Sequence, residues 1–152
     1  GAGRWDEVDD VLGALERAAS EPGTNGMMSR EVGLPVARAC ASFGQGRYEA
    51  AIDDLLLVRG HANRFGGSHA QRDIVHLTLI ESALRAGRAS LARALAEERI
   101  AVKPTSPFNW RLAARALAAA GRGDASRQAL ENAATAATAQ RPARLETRSV
   151  AA

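Results

Sequence analysis

Apolar residues recur at helical spacing along most of this chain. Trp5, Val8, Leu12, Leu15 and Ala19 follow a period near 3.6, as do Val36, Ala39, Cys40 and Phe43, and then Tyr48, Ala51, Ile52, Leu55 and Leu56. Each set gathers its apolar side chains on one side of a helix. The segments 74–84, 91–102, 108–120 and 125–139 complete seven expected helices, one single and three pairs. Ser68, with Gln71 three residues on, forms a capping box, and Ser106 places a cap before Pro107 at a first helical position. Pro104 and Pro107 lack the donor that would continue a helix, so they separate the run ending near Val102 from the next. Residues 21–32, with Pro22, Gly23, Asn25 and Gly26, read as a loop.

A dipeptide punctuates the pattern: Gly3-Arg4, Gly46-Arg47, Gly87-Arg88 and Gly121-Arg122, at intervals of 43, 41 and 34 residues. Stacked helix pairs repeat with periods in this range, because one hairpin cannot bury its apolar face without a neighbour. The expected organisation is a helical-repeat domain over 1–140. Within it 1–20 is the second helix of a repeat, 21–32 a loop, and 33–60, 68–104 and 106–140 are helix hairpins. Residues 141–152 are expected to form a basic, disordered tail. The opening Gly3-Arg4-Trp5-x-x-Val8, without an initiator Met, reads as the start of a fragment of a longer protein.

Aligned on their glycines, the repeats resemble tetratricopeptide hairpins. In that family Gly-x-aromatic-x-x-Ala opens the second helix and a proline ends the unit. Gly46-Arg47-Tyr48-Glu49-Ala50-Ala51 matches. Gly87, Ala92 and Pro104 match the small-residue and proline positions, and Trp110 stands where the first-helix tryptophan packs. The third unit departs, with Ser126 in place of the second-helix Ala and no proline at the expected distance. More narrowly, the run Gly66-Gly67-Ser68-His69-Ala70-Gln71-Arg72-Asp73, with Glu98-Arg99-Ile100-Ala101-Val102-Lys103-Pro104, resembles the tetratricopeptide repeat protein 38 family over about residues 66–112. The resemblance implies an all-α, right-handed solenoid of antiparallel hairpins in a soluble and longer protein, and carries no catalytic reaction with it.

Composition narrows the classes. Hydrophobic residues make up 46% of the chain but aromatics only 4%, so the apolar content is chiefly Ala, Leu and Val, the residues of closely packed helices. A single cysteine, Cys40, excludes an internal disulfide and fits a reducing, cytoplasmic setting. No apolar run approaches the ~20 residues a membrane span requires. A formal charge of +3, with both signs scattered, is too mild for sequence-independent nucleic-acid binding. The local excess of Arg141, Arg144 and Arg148 falls in the tail.

The candidate chemistry is sparse. His69, Arg72, Asp73 and His76 share one side of the fourth helix, at whose start Ser68 and Arg64 could help hold a carboxylate or phosphate. The alternative is a satisfied polar cluster in which Ser68 caps and Asp73 favours the positive helix end. His69 and His76 lie about 10.5 Å apart along the axis at 1.5 Å per residue, so they share no metal, and His69 with Asp73 supplies only two ligands. Ser68 is better used as a cap than as a nucleophile. Cys40, on an apolar face, is expected to be an inert core thiol. No metal, cofactor or catalytic set is therefore expected.

The other candidate is the groove lined by first helices, with Leu77, Glu81 and Arg85 on the fourth helix and Arg111 and Arg115 on the sixth. Arg111 and Arg115, one turn apart, could grip an acidic peptide or a terminal carboxylate. The expected function is thus a protein-interaction scaffold rather than an enzyme, with small-anion or metabolite binding at 68–76 as the alternative. The apolar side of Trp5, Val8 and Leu12 adds a route to self-association.

Overall fold

The computed structural model describes residues 3–60 and 69–140, with the backbone alone for 69–72. Every regular element among the described residues is helical: α1 (Trp5–Ser20), α2 (Thr24–Met28), α3 (Leu34–Gly44), α4 (Tyr48–Arg59), α5 (His69–Arg85), α6 (Ala89–Val102), α7 (Pro107–Ala119) and α8 (Gly123–Ala139). The seven expected helices are present, and α2 is an addition. The expected tail at 141–152 lies outside the described residues, as do Arg64 and Ser68.

The Gly-Arg dipeptides are the joints of this architecture. After α3 the Arg47 N–H donates to the Ser42 carbonyl at 2.8 Å and the Gly46 N–H to that of Phe43 at 3.1 Å. After α5 the pairs are Arg88 to Ala83 and Gly87 to Leu84, and after α7 they are Arg122 to Leu117 and Gly121 to Ala118. These are the two bonds that satisfy the last carbonyls of a helix when the residue beyond its cap turns left-handed. Gly46, Gly87 and Gly121 do so, with φ of 76°, 74° and 70°. The arginine then turns the chain into the next helix, its carbonyl accepting the first bond, from Ala51, Ala92 and Ser126 respectively. One dipeptide therefore ends one helix and begins the following one. That double duty is the physical reason for its repetition.

The loop expected over 21–32 contracts to Glu21–Gly23. From Thr24 the chain is helical, and α2 passes through a π-helical turn, Ser29–Gly33, into α3. The turn residues that argued for a loop do other work. Gly23 takes a positive φ of 89° just before α2, and buried Gly26 lets the helix lie directly on the end of α1. A Cβ at Gly26 would sit 1.8 Å from the Glu21 carbonyl oxygen. Arg30 completes the junction, its Nη1 donating to the Ala19 carbonyl at 2.7 Å, where a cation favours the negative end of α1.

Contacts divide the chain into two compact units, one ending at Leu95 and the other beginning at Ala96. The boundary falls inside α6. In the first unit α1 packs on α2 and α3, α3 on α4, and α4 on α5. Its core contains Ile52, Leu55, Val58, Leu79, Ile80 and Leu95, all fully buried. In the second unit α7 packs on α8 through Leu112, Ala113, Ala114, Ala116, Ala129 and Ala133. A core of large aliphatic side chains in one and of alanine in the other gives each unit its own packing, because alanine brings helix backbones closer together.

The turn between α6 and α7, within the second unit, is tied by side chains. Ser106 Oγ accepts from the Asn109 N–H at 3.3 Å, the expected cap. Buried Asn109 donates from Nδ2 to the Arg99 carbonyl at 3.0 Å and accepts from Arg99 Nε at 3.2 Å. Trp110 Nε1 donates to the Pro104 carbonyl at 2.7 Å. The sequence departure at Ser126 is also accommodated, since its Oγ donates to the Ala114 carbonyl at 2.9 Å.

Candidate functional site

In the first unit, the end of α5 meets the joint between α3 and α4. Arg85 stands one turn after Glu81, and its Nε donates to the Glu81 carboxylate at 2.9 Å. Nη1 donates to the Tyr48 hydroxyl at 3.2 Å. The guanidinium carbon lies 5.1 Å from the Phe43 ring centre and 5.6 Å from that of Tyr48, within cation–π range of both. The two rings meet edge to face at 5.6 Å. The Tyr48 hydroxyl, and after it Glu81, raise the Arg85 pKa above its already high value, so the charge is permanent. The result is a surface guanidinium held in one orientation. A planar donor fixed in this way suits a carboxylate better than a free side chain would, because less rotamer entropy is lost on binding.

Of the other groove residues, Leu77 and Glu81 are half-buried on α5, while Arg111 and Arg115 are exposed on α7, one turn apart. The first pair belongs with Arg85 to the first unit and the second pair to the second. Phe43 was assigned only to an apolar face, and Tyr48 to an apolar face and to the aromatic position after the joint glycine. Their role beside Arg85 depends on how α5 packs against the α3–α4 joint, and no spacing between residues 43 and 85 announces it.

The polar cluster at the start of α5 is described only in part. Arg64 and Ser68, and the side chains of His69 and Arg72, lie outside the described residues. Asp73 and His76 are both half-buried, and His76 Nδ1 is itself buried. Among the described residues no group of three or more His, Cys, Asp or Glu side chains could hold a metal ion.

Cys40 corrects its expected place in the core, for it is exposed. Ala39, one residue earlier and about 100° round the helix, takes the buried position with no exposure at all. Cys40 instead borders an open groove of about 640 Å³ between α1 and α3, lined chiefly by Trp5, Val8, Val11, Leu12 and Ala37. The Trp5 ring closes one end by lying on Gly44, where a Cβ would come within 3.1 Å of it. Desolvation at this wall pushes the Cys40 thiol above its ordinary value. The ion pair of Arg38 with Glu16 at 2.8 Å joins α3 to α1.

No described helix is long and apolar enough to cross a membrane. No protein-family model matches the chain, and no solved structure matches it.

Proposed function

We propose that this chain is an interaction module of tetratricopeptide-like helical repeats, stacked as a right-handed solenoid, that binds a carboxylate-bearing protein segment on the exposed side of its first helices. The observation that carries the reading is Arg85, an exposed guanidinium fixed by Glu81, Phe43 and Tyr48. Repeated hairpins closed by one kind of joint supply the support, and Arg111 and Arg115 on α7 add two further cations. A hydrogen bond to a charged group contributes about 1.5–3 kcal/mol. Loss of one such contact is therefore expected to weaken binding at least tenfold.

The test is a peptide array read with the intact chain, followed by fluorescence anisotropy on the best binders, each made with free and with amidated carboxylates. Arg85→Ala and the double variant Arg111→Ala, Arg115→Ala separate the two units. Binding that needs the carboxylate, weakens with salt and falls tenfold or more in either variant supports the module. Binding indifferent to both variants removes the arginines from the site.

A further inference from the structure

A guanidinium can only donate hydrogen bonds. In the contact between Arg85 Nη1 and the Tyr48 hydroxyl, 3.2 Å apart, the phenol oxygen is therefore the acceptor and its own proton is turned away from Arg85. Among the described residues the Tyr48 hydroxyl makes no other hydrogen bond. On a half-buried side chain such a proton needs an acceptor from outside the protein, water or a ligand. Arg85 also has donors in hand. Glu81 takes its Nε–H and Tyr48 one hydrogen of Nη1, which leaves one on Nη1 and both on Nη2.

The two sets of donors are held from different elements. Tyr48 is the first residue of α4, directly after the Gly46-Arg47 joint, and its ring meets that of Phe43 edge to face at 5.6 Å. Its hydroxyl is thus placed by the turn between α3 and α4, whereas Arg85 is placed by the end of α5, which packs on α4. A carboxylate presents two oxygens with about four lone-pair sites, and donors only 3.2 Å apart are within reach of one such group. Donation from Arg85 polarises the phenol and makes its O–H a better donor in turn. An O–H bond to an ionised oxygen is about twice as strong as one between neutral groups.

We infer that Tyr48 binds the ligand as well as supporting Arg85: its hydroxyl accepts from Arg85 and donates to the same carboxylate that Arg85 holds. The inference rests on the carboxylate site proposed above and adds a second point of attachment to it. It also gives the site a ground for selection. An amide offers one acceptor oxygen, and its NH2 group would face a donor from Tyr48 or from Arg85 with nothing to accept it.

Tyr48 is the chain's one tyrosine, so a fluorinated tyrosine supplied during expression enters at this position alone. The full chain is prepared with tyrosine, with 3-fluorotyrosine, as Tyr48→Phe and as Arg85→Ala. Each is titrated near pH 6 with acetyl-trialanine bearing a free terminal carboxylate, and with its amide as control. Binding is read from the backbone amide resonances around Tyr48 and Arg85, and the remaining resonances report that each variant is folded. Fluorine withdraws electrons from the ring, which makes the phenol a stronger donor and a weaker acceptor while it stays protonated at this pH. The free-carboxylate peptide should bind the fluorinated chain about twofold or more tighter and Tyr48→Phe about tenfold or more weaker. A tyrosine that serves only to hold Arg85 would give weaker or unchanged binding on fluorination. That result, with binding still lost in Arg85→Ala, would overturn the inference and leave the carboxylate site standing. A peptide that does not bind the intact chain, or binds Arg85→Ala equally well, would overturn both.

Discussion

Two glycines two residues apart carry opposite instructions. Gly121 sits at a positive φ of 70°, where an L side chain is strained, while Gly123 is the first residue of α8 with open space around its Cβ position. Gly121→Ala should cost about 1–2 kcal/mol, the penalty of a left-handed backbone, and Gly123→Ala should stabilise by about 0.4–1 kcal/mol by restricting the unfolded chain. Urea titration of both variants checks the sign reversal. Asp54 supplies a second test at this scale. Desolvation raises its carboxyl pKa, with Asp53 adding to the effect and Arg38 opposing it. The folded state therefore holds a proton more readily than the unfolded chain, whose carboxyl titrates near 3.8. Stability from this group is present below that value and falls as pH rises through the window up to the folded pKa. At neutral pH the charge is a cost. Asp54→Asn should raise the melting point slightly at pH 7, corresponding to about 0.5 kcal/mol or less at a half-buried position still screened by solvent, and leave it unchanged well below the unfolded pKa.

At the scale of elements, the seven helices were legible because apolar period, caps and joints agreed with one another. The sequence pattern at 21–32 misled because glycine serves turns and also the close approach of helices, and of Pro22, Gly23, Asn25 and Gly26 only the first two stay in the loop. Gly26 is there for contact: the backbone of Glu21 occupies the space a side chain would need. Gly26→Ala should destabilise the first unit by about 2 kcal/mol, in the range of overpacked sites. Gly13→Ala, within α1 and facing only the end of Arg17, should stabilise by about 0.5–1 kcal/mol through helix propensity. Thermal melts of the two variants distinguish a tight junction from a loop, because a loop would tolerate both. The candidate site was legible only in its α5 and α7 residues. Glu81 and Arg85 share a face by their spacing, whereas the aromatic support from Phe43 and Tyr48 comes from a distant part of the chain and depends on packing that periodicity does not encode.

The division into two compact units at Leu95 and Ala96 is not marked in the sequence, because α6 runs through the boundary without a break in pattern. Composition still held a trace of it. The fully buried large aliphatic residues end with Leu95, and alanine, joined by Leu112, dominates the buried positions of α7 and α8. Chains built from adjoining helical units lose stability locally, since a change in one is felt elsewhere only through the interface. The two tryptophans make this measurable, Trp5 belonging to the first unit and Trp110 to the second. Leu112 is buried in the α7–α8 core at 6% exposure, and truncation of a buried leucine costs about 2–5 kcal/mol. In single-tryptophan chains made with Trp5→Phe or Trp110→Phe, adding Leu112→Ala should move the urea midpoint reported by Trp110 well below that reported by Trp5. Ile52→Ala, at a fully buried position of the first unit, should reverse the order. Coincident midpoints for both reporters in both variants would mean that the continuous helix α6 transmits the loss in full, and that the chain unfolds as one cooperative body.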